Sequence, residues 1–294
     1  MNDARSRGTE LRRSAAEVGR TAATRSADIG RTAATRGAGL GRSMRRLDVP
    51  WARCGVARTL REGILGLGLG PLMDIYTRAK VFGREQFQEL PAPVVFVANH
   101  SSHLDTPTIL RALPRKWRQR TAVAAAADYF YKKRAVANGV ALIFNTVPIA
   151  RSAGAAGGST EQVDRLIDQR WNVLLFPEGT RSRDGRLGKM RSGAAVLAQQ
   201  HGVPIVPILV KGTHEAMPPG RNWPRRIKGR FFSRRHKLEV HFGAPITPAE
   251  GEHRHEVMER VRAFFAAEEA AIVNGRTRFG DPTPPEQHPL TPAA

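Results

Sequence analysis

Short apolar runs alternate with helical stripes of apolar residues over most of the chain. The runs predict buried strands at 94–98, 121–127, 142–149, 172–176, 203–210 and 237–242. Between them, apolar residues at helical spacing predict helices at 106–113, 161–170, 193–200 and 257–273. Strands that alternate with helices indicate an α/β domain with a mostly parallel central sheet flanked by helices.

The pattern divides the 294 residues into four segments. Residues 1–50 form a basic, low-complexity arm in which Gly-Arg-Thr-Ala-Ala-Thr-Arg recurs after eleven residues, close to three helical turns. We expect this arm either to order on an anionic membrane surface or to stay disordered. Residues 51–80 form a glycine-rich apolar segment that suits a membrane interface or a packed helix, residues 81–275 form the α/β domain, and residues 276–294 form a disordered, proline-rich tail.

The net charge of +21 is concentrated in the segments 1–50, 111–134 and 211–237, which carry +6, +7 and +8. Such concentration indicates a polyanionic partner, namely lipid head groups, phosphate-bearing substrates or nucleic acid. Solvated helix faces are the alternative. Aromatic residues make up only 6% of the chain and no nucleic-acid-reading motif is recognisable, which counts against nucleic acid.

The cysteine content and the hydropathy indicate the cellular compartment in which the protein is expected. The single cysteine, Cys54, excludes an intramolecular disulfide framework and a multi-cysteine metal site, and we interpret it as structural. No apolar run reaches the ~18–20 residues of a transmembrane helix, and no apolar stretch follows the N-terminal arginines as a secretory signal requires. We therefore expect a cytoplasmic protein.

The first candidate chemical element is the run Asn-His-Ser-Ser-His-Leu-Asp at 99–105, between a predicted strand and a predicted helix. In such a loop the chain can fold back so that Asp105 accepts a hydrogen bond from one imidazole nitrogen of His100. The other nitrogen would then act as a base on a substrate hydroxyl. A capping Asp105 beside an incidental histidine is an alternative, as is a zinc site at His100, His103 and Asp105.

The second candidate element is Phe-Pro-Glu-Gly-Thr-Arg-Ser at 176–182, directly after a predicted strand. Gly179 permits a tight turn, Arg181 can bind a phosphate through two hydrogen bonds, and Thr180 can donate another. Glu178 can position Arg181 or the acceptor. An ordinary polar turn is the alternative.

Two weaker elements complete the set. Arg151 follows the predicted strand at 142–149, and a surface arginine is its alternative interpretation. The run at 203–208 contains two prolines, which remove N–H donors and therefore predict an edge strand or an irregular wall. The histidines at 236, 241, 253 and 255 show no ligand pattern, so we expect them at the surface.

Taken in order, these elements resemble the motifs of the PlsC-like lysophosphatidic acid acyltransferase family, over about residues 75–250. The motif Asn-His-x4-Asp is matched at 99–105, and Phe-Pro-Glu-Gly-Thr-Arg-Ser is matched without a gap at 176–182. The arginine that ends the second motif is matched at Arg151, and the fourth motif at 203–208.

The resemblance implies that residues 81–275 form an acyltransferase domain in which His100 is the general base and Asp105 orients it. The residues that would bind the acceptor phosphate are Glu178, Gly179, Thr180 and Arg181, with assistance from Arg151. The residues that would line the acyl pocket or be structural are Val203, Pro204, Ile205 and Pro207.

The implied reaction moves a fatty acyl group from acyl-CoA or acyl carrier protein to the hydroxyl of a lysophospholipid, foremost 1-acylglycerol-3-phosphate, in phospholipid biosynthesis. It needs no metal or other cofactor. The implied partners are the lipid, the acyl donor and an anionic membrane surface, with peripheral attachment at the cytoplasmic face and no nucleic acid. The alternatives are another lysolipid acceptor and, in a different class, a basic nucleic-acid-binding protein.

Overall fold

A computed structural model describes residues 47–126, 134–149, 161–228 and 233–275. The predictions for most of the arm, for Arg151 and for the tail therefore fall outside the described residues. The described part forms a seven-stranded sheet in the order β1-β7-β6-β2-β5-β3-β4, in which only β6 and β7 pair antiparallel. The mostly parallel sheet flanked by helices is confirmed.

The strands are β1 Thr77–Phe82, β2 Val95–Ala98, β3 Thr121–Ala126, β4 Thr146–Ile149, β5 Asn172–Leu175, β6 Ile205–Lys211 and β7 His236–Phe242. The α-helices are α1 Gly55–Gly63, α2 Gly70–Tyr76, α3 Asp105–Ala112, α4 Arg115–Arg118, α5 Arg134–Phe144, α6 Glu161–Asp168, α7 Gly193–His201, α8 Thr213–Ala216 and α9 Arg254–Val273. A π-helical turn, Ile64–Leu69, joins α1 to α2.

The predicted strand at 142–149 is wrong over its first half, because residues 142–144 are the end of α5. Asn145 has a positive φ of 53°, which ends the helix, and β4 begins at the next residue. A short apolar run does not distinguish a helix end from a strand, since both are buried. Strand β1 was missed because only Thr77 of its six residues is buried, and Arg78 and Lys80 interrupt the apolar pattern.

The edge position expected from the prolines of the fourth motif is also wrong. Strand β6 lies between β2 and β7, in the interior of the sheet. Pro207 pairs with Val97 of β2, and its carbonyl oxygen accepts from the N–H of Gly243 at 2.8 Å, so the strand lacks there only the N–H that a proline cannot supply.

Helices cover both faces of the sheet, and alternate residues of each strand supply the two cores. On one face, Val95 and Val97 pack with α6, α7 and α9. On the other face, Phe96 packs with α3, with Trp117 and with Leu65 of the π-helical turn. Both faces of the central strand β2 are therefore buried, which explains why it appears in the sequence as a continuous apolar run.

Arg61 fixes the N-terminal helices to the domain. Its side chain is buried and donates to the carbonyl oxygens of Leu142 and Ala141, at 2.8 and 3.1 Å, and of Ala52, at 2.7 Å. The first two carbonyls lie in the last turn of α5, and the Ala141 carbonyl also accepts from the N–H of Asn145 at 2.8 Å. Burial, together with the neighbouring charge of Arg53, lowers the pKa of Arg61 to about 10, so the side chain remains a cation at neutral pH.

The surface position expected for the histidines of β7 is wrong. His236 and His241 are buried, whereas His253 and His255 are exposed. His241 lies between Glu268 of α9, 3.0 Å from Nδ1, and Glu239, 3.4 Å from Nε2. Burial disfavours the imidazolium, but these two carboxylates outweigh it and raise the pKa of His241.

Within the described residues, no helix has both the length and the hydropathy that a bilayer crossing demands.

Gly83 offers a test of the packing at the end of β1. It has a φ of +77°, and a Cβ built on it would lie 2.2 Å from the carbonyl oxygen of Phe242. Gly251 has a similar φ of +74° with open space around it. We expect Gly251→Ala to cost about 1–2 kcal/mol of stability, from backbone strain alone, and Gly83→Ala to cost clearly more because backbone atoms must move. Denaturant unfolding of both variants measures this difference, and equal losses would contradict the close approach.

Candidate active site

Three neighbouring parallel strands, β6, β2 and β5, end at the same edge of the sheet and deliver the candidate residues. His100 lies two residues after β2, the run from Glu178 to Arg181 follows β5, and Thr213 follows β6. The carboxyl ends of adjacent parallel strands are where α/β sheets form their sites. The side chain of Asn99 extends the pairing beyond β2, because it accepts from the N–H of Val210 and donates to its carbonyl, at 2.8 and 2.9 Å.

The loop after β2 folds back as the sequence suggested it could. Oδ2 of Asp105 lies 2.9 Å from Nδ1 of His100, and it also accepts from the backbone N–H groups of Ser101 and Ser102, at 2.7 and 2.8 Å. The carboxylate therefore holds the loop before α3 and the imidazole, rather than capping the helix that it begins. The ring of His100 also stacks on Phe176, with a centroid distance of 4.2 Å. With Nδ1 occupied by Asp105, Nε2 is the ring nitrogen left for a substrate proton.

The loop after β5 holds the backbone of His100 on both sides. Glu178 accepts from the N–H of His100 through Oε1 at 2.8 Å and from the N–H of Gly188 through Oε2 at 2.9 Å. Ser182 donates its N–H to the carbonyl of His100 at 2.8 Å. Burial raises the pKa of Glu178, an effect that the two N–H donors partly offset. The Glu178 carboxylate thus joins the two candidate loops in this structure.

Arg181, Thr180 and Gly179 line the same cavity as His100. Gly179 has a φ of +72°, and a Cβ there would lie 3.4 Å from the guanidinium of Arg191. His103 also lines the cavity, and burial, with the neighbouring Arg181 and His100, lowers its pKa to about 4. His103 is therefore neutral at neutral pH, and the positive charge of the lining comes from arginine and lysine side chains such as Arg181.

The geometry of the described residues does not support the alternative zinc site at His100, His103 and Asp105. Across residues 47–126, 134–149, 161–228 and 233–275, no group of three or more His, Cys, Asp or Glu side chains is arranged to hold a metal ion. His100 and Asp105 are instead bonded to each other.

The cavity measures about 2090 Å³ and combines basic with apolar lining residues. The basic residues include Arg183, Lys189 and Arg191 besides Arg181. The apolar residues come largely from β3, α5 and α7, for example Ala125, Val140, Phe144, Val196 and Leu197. A molecule with an anionic head and a long apolar chain matches this lining.

The residues of the fourth motif lie elsewhere. Val203, Pro204, Ile205 and Pro207 are absent from the cavity lining. Val203 and Ile205 instead belong to the core beneath α9. Arg151 lies outside the described residues, so its position relative to Arg181 stays a prediction.

Sequence reasoning missed Thr213, whose hydroxyl donates to Oδ1 of Asp105 at 2.5 Å. It also assigned no part to Phe176 or to the amides of Ser101 and Ser102. Thr213 could have been found by the rule that polar residues just after neighbouring parallel strands converge, but the strand order that makes β6 a neighbour of β2 is not visible in the sequence.

Comparison with known proteins identifies the part of the chain that builds this site. Residues 78–211 match the model of the family described as Acyltransferase. The chain is 32% identical over 152 residues to the chloroplastic 1-acyl-sn-glycerol-3-phosphate acyltransferase BAT2 of Brassica napus, covering 49% of this chain and 40% of that protein. It is 30% identical over 175 residues to 1-acyl-sn-glycerol-3-phosphate acyltransferase alpha of Bos taurus, covering 59% and 55%.

The fold also resembles a solved structure. The crystal structure of the 1-acyl-sn-glycerophosphate acyltransferase PlsC from Thermotoga maritima superposes with a TM-score of 0.50 at 23% identity, covering 70% of this chain and 77% of that one. The chain spans about two fifths of the length of the plant relative and just over half that of the bovine one.

Glu178→Gln tests the bond between the two loops. A glutamine has one acceptor oxygen, so its NH₂ group must face the N–H of either His100 or Gly188. The Gly188 N–H is the more exposed of the two, so its bond is the one expected to be lost, at a cost of about 0.5–1.5 kcal/mol. We expect a lower melting temperature and faster hydrogen exchange in peptides covering 99–105 and 183–191. Glu250→Gln, at an exposed glutamate, is the control, and exchange equal to that of the control would show that Glu178 does not join the loops.

Proposed function

We propose that this protein transfers a fatty acyl group from a thioester donor, acyl-CoA or acyl carrier protein, to the hydroxyl of 1-acylglycerol-3-phosphate. The match of residues 78–211 to the acyltransferase family model supports this proposal. One observation carries the proposal. His100, hydrogen-bonded to the buried Asp105, lines the same cavity as Arg181, so a base and a cation that can bind a phosphate can reach one substrate. The named activity of the relatives is consistent with this chemistry.

In the proposed mechanism Nε2 of His100 removes the proton of the acceptor hydroxyl as its oxygen attacks the thioester carbonyl. Asp105 holds the imidazole through Nδ1 and stabilises the imidazolium that forms. The tetrahedral intermediate then collapses, the carbon–sulfur bond breaks, and the imidazolium returns the proton to the leaving thiolate. Phe176 keeps the ring plane fixed through both transfers.

The acceptor phosphate is bound by Arg181, with Thr180 and Gly179 beside it. A guanidinium forms two parallel hydrogen bonds to a phosphate, which orients as well as binds it. In this proposal Glu178 contributes by holding the loop rather than by touching the phosphate, since a carboxylate repels a phosphate and both its oxygens already accept backbone N–H groups. Arg151 is proposed to assist. The apolar residues of the cavity lining contact the acyl chain in this proposal.

Peripheral membrane attachment completes the proposal. Five of the ten exposed large hydrophobic residues in the described part of the chain lie between residues 51 and 75, and these are Trp51, Val56, Leu60, Leu67 and Ile75. Leu67 is 86% exposed and Val56 79%. The spacing of Val56, Leu60 and Leu67 puts them on one face of a helix, opposite the buried Arg61 and Leu65. An apolar face next to a basic arm gives the two signals that stable interfacial binding requires.

The direct test is an acyl-transfer assay with lysophosphatidic acid and a panel of other lysolipids, using acyl-CoA and acyl carrier protein as donors. Transfer to lysophosphatidic acid above the other acceptors supports the proposal. Preference for another acceptor would replace the substrate, and transfer to none would refute the activity.

We expect His100→Ala to lower kcat by ~10²–10⁴-fold, because a general base contributes that much, with a smaller change in the acceptor KM. Asp105→Asn should lose somewhat less, since it misorients the base without removing it. His253→Asn, which removes an exposed histidine outside the cavity lining and keeps a capping side chain at the start of α9, is the control. A His100→Ala protein that keeps more than about a tenth of the kcat would contradict the assignment.

Arg181→Ala should raise the KM of the acceptor. A charged hydrogen bond contributes ~1.5–3 kcal/mol, which corresponds to roughly 10–150-fold in affinity. Arg181→Lys should recover part of the loss, because it keeps the charge without the planar fork. Arg186→Ala, an exposed arginine on the same loop and not in the cavity lining, is the matched control. A higher KM for the acyl donor with an unchanged acceptor KM would move Arg181 to the donor site.

Replacing Val56, Leu60 and Leu67 together by serine should reduce sedimentation with both neutral and anionic vesicles. Deleting residues 1–46 should reduce it only with anionic vesicles at low salt, because salt screens the basic arm. Val273→Ser is the control, since Val273 is 83% exposed at the far end of α9. Binding of the triple variant equal to that of the unchanged protein would show that this face does not meet the membrane.

A further inference from the structure

Thr213 is buried beside the His–Asp pair, although it is distant from it in the sequence. It is the first residue of α8, just after β6, and its exposed fraction is 0%. Gly212 places it there with a φ of +88°, and a Cβ at Gly212 would lie 2.1 Å from the carbonyl oxygen of Lys237. The turn that directs Thr213 to the site is therefore closed to residues with a side chain.

The hydroxyl of Thr213 completes the shell of Asp105. Oδ2 accepts from His100 and from the amides of Ser101 and Ser102, whereas Oδ1 accepts from Thr213 at 2.5 Å. The hydroxyl of Ser101 lies 3.2 Å from the oxygen of Thr213. Since Thr213 has one proton and gives it to Asp105, Ser101 is the donor of that second bond. The described residues thus form a continuous chain of hydrogen bonds from Ser101 through Thr213 and Asp105 to His100.

A carboxylate can rotate about its last torsion, because that torsion is broad and its two oxygens are equivalent. If all the hydrogen-bond donors bind one of the two oxygens, they restrict this rotation only weakly. A donor on the opposite oxygen, fixed to another strand, defines the plane of the carboxylate. Asp105 is 0% exposed, so water does not take the place of a missing donor without opening the site.

We propose that Thr213 is a positioning residue, which acts through Asp105 to hold Nδ1–H of His100 and to aim Nε2 at the acceptor hydroxyl. This inference rests on the proposed function for its kinetic consequence, but its structural consequence is independent of the substrate. Thr213 does not line the cavity, which separates its role from substrate binding.

The variants are Thr213→Val, which removes the hydroxyl and keeps the shape, and Thr213→Ser, which keeps the hydroxyl. Thr108→Val is the matched control, because Thr108 is a buried threonine on α3 whose hydroxyl has no hydrogen-bond partner among the described residues. We expect Thr213→Val to lower kcat by about tenfold or more with the acceptor KM within about twofold, since a bond to a charged group is lost. Thr213→Ser should recover most of the kcat, and Thr108→Val should match the unchanged protein.

A second readout does not depend on turnover. In protein labelled with ¹⁵N-histidine, long-range ¹H–¹⁵N spectra report the tautomer of each of the nine histidines, and loss of a signal in His100→Gln assigns His100. We expect a single Nδ1–H tautomer in the unchanged protein and in Thr108→Val. In Thr213→Val we expect a shifted or exchange-broadened Nδ1–H signal.

The outcomes separate the two proposals. If no acceptor is acylated but Thr213→Val alters the His100 signal, the positioning role stands and the proposed activity fails. If the unchanged protein is active while Thr213→Val keeps both its kcat and its His100 signal, the activity stands and the positioning role is overturned.

Discussion

The Asp105 carboxylate is the interaction on which the site depends. A charge removed from water must be compensated by donors, and the protein supplies four: His100, two backbone amides and the hydroxyl of Thr213. Three of them come from the loop after β2, so the charge forces that loop to close on itself. The fourth comes from the first residue of α8, just after β6. One buried charge therefore fixes both the loop and the imidazole.

The sheet brings the remaining groups to that charge. Strand β2 has β5 on one side and β6 on the other, all parallel, so three loops leave the same edge. Glu178 and Ser182 take up both backbone groups of His100. The position of the proposed base thus depends on the proposed phosphate loop, because hydrogen bonds join the two loops on both sides of His100.

The glycine-rich apolar segment, residues 51–80, is coupled to the cavity through α5. Arg61 donates to carbonyls in the last turn of α5, and Val140 and Phe144 of that helix line the cavity. The exposed apolar face of the segment lies on the side of α1 away from Arg61. The proposed membrane contact and the apolar wall of the cavity are therefore joined by one buried cation. The aromatic contact between Tyr76 and Trp223, with a hydrogen bond of 2.9 Å, ties the end of the segment to the loop after α8.

The sequence by itself determined the α/β class, most strand positions and the two loops that carry His100, Asp105 and Arg181. The spacing of apolar residues and the spacing of motif residues are local properties of the sequence, so they can be recognised before the fold is known. The strand order, the interior position of Pro207 and the partner of Asp105 in Thr213 were decided by the tertiary structure, because each joins residues far apart in the chain. Glu178 shows the limit most clearly. Its residue type suited a substrate contact, but its two oxygens are occupied by amides that only the folded sheet brings within reach.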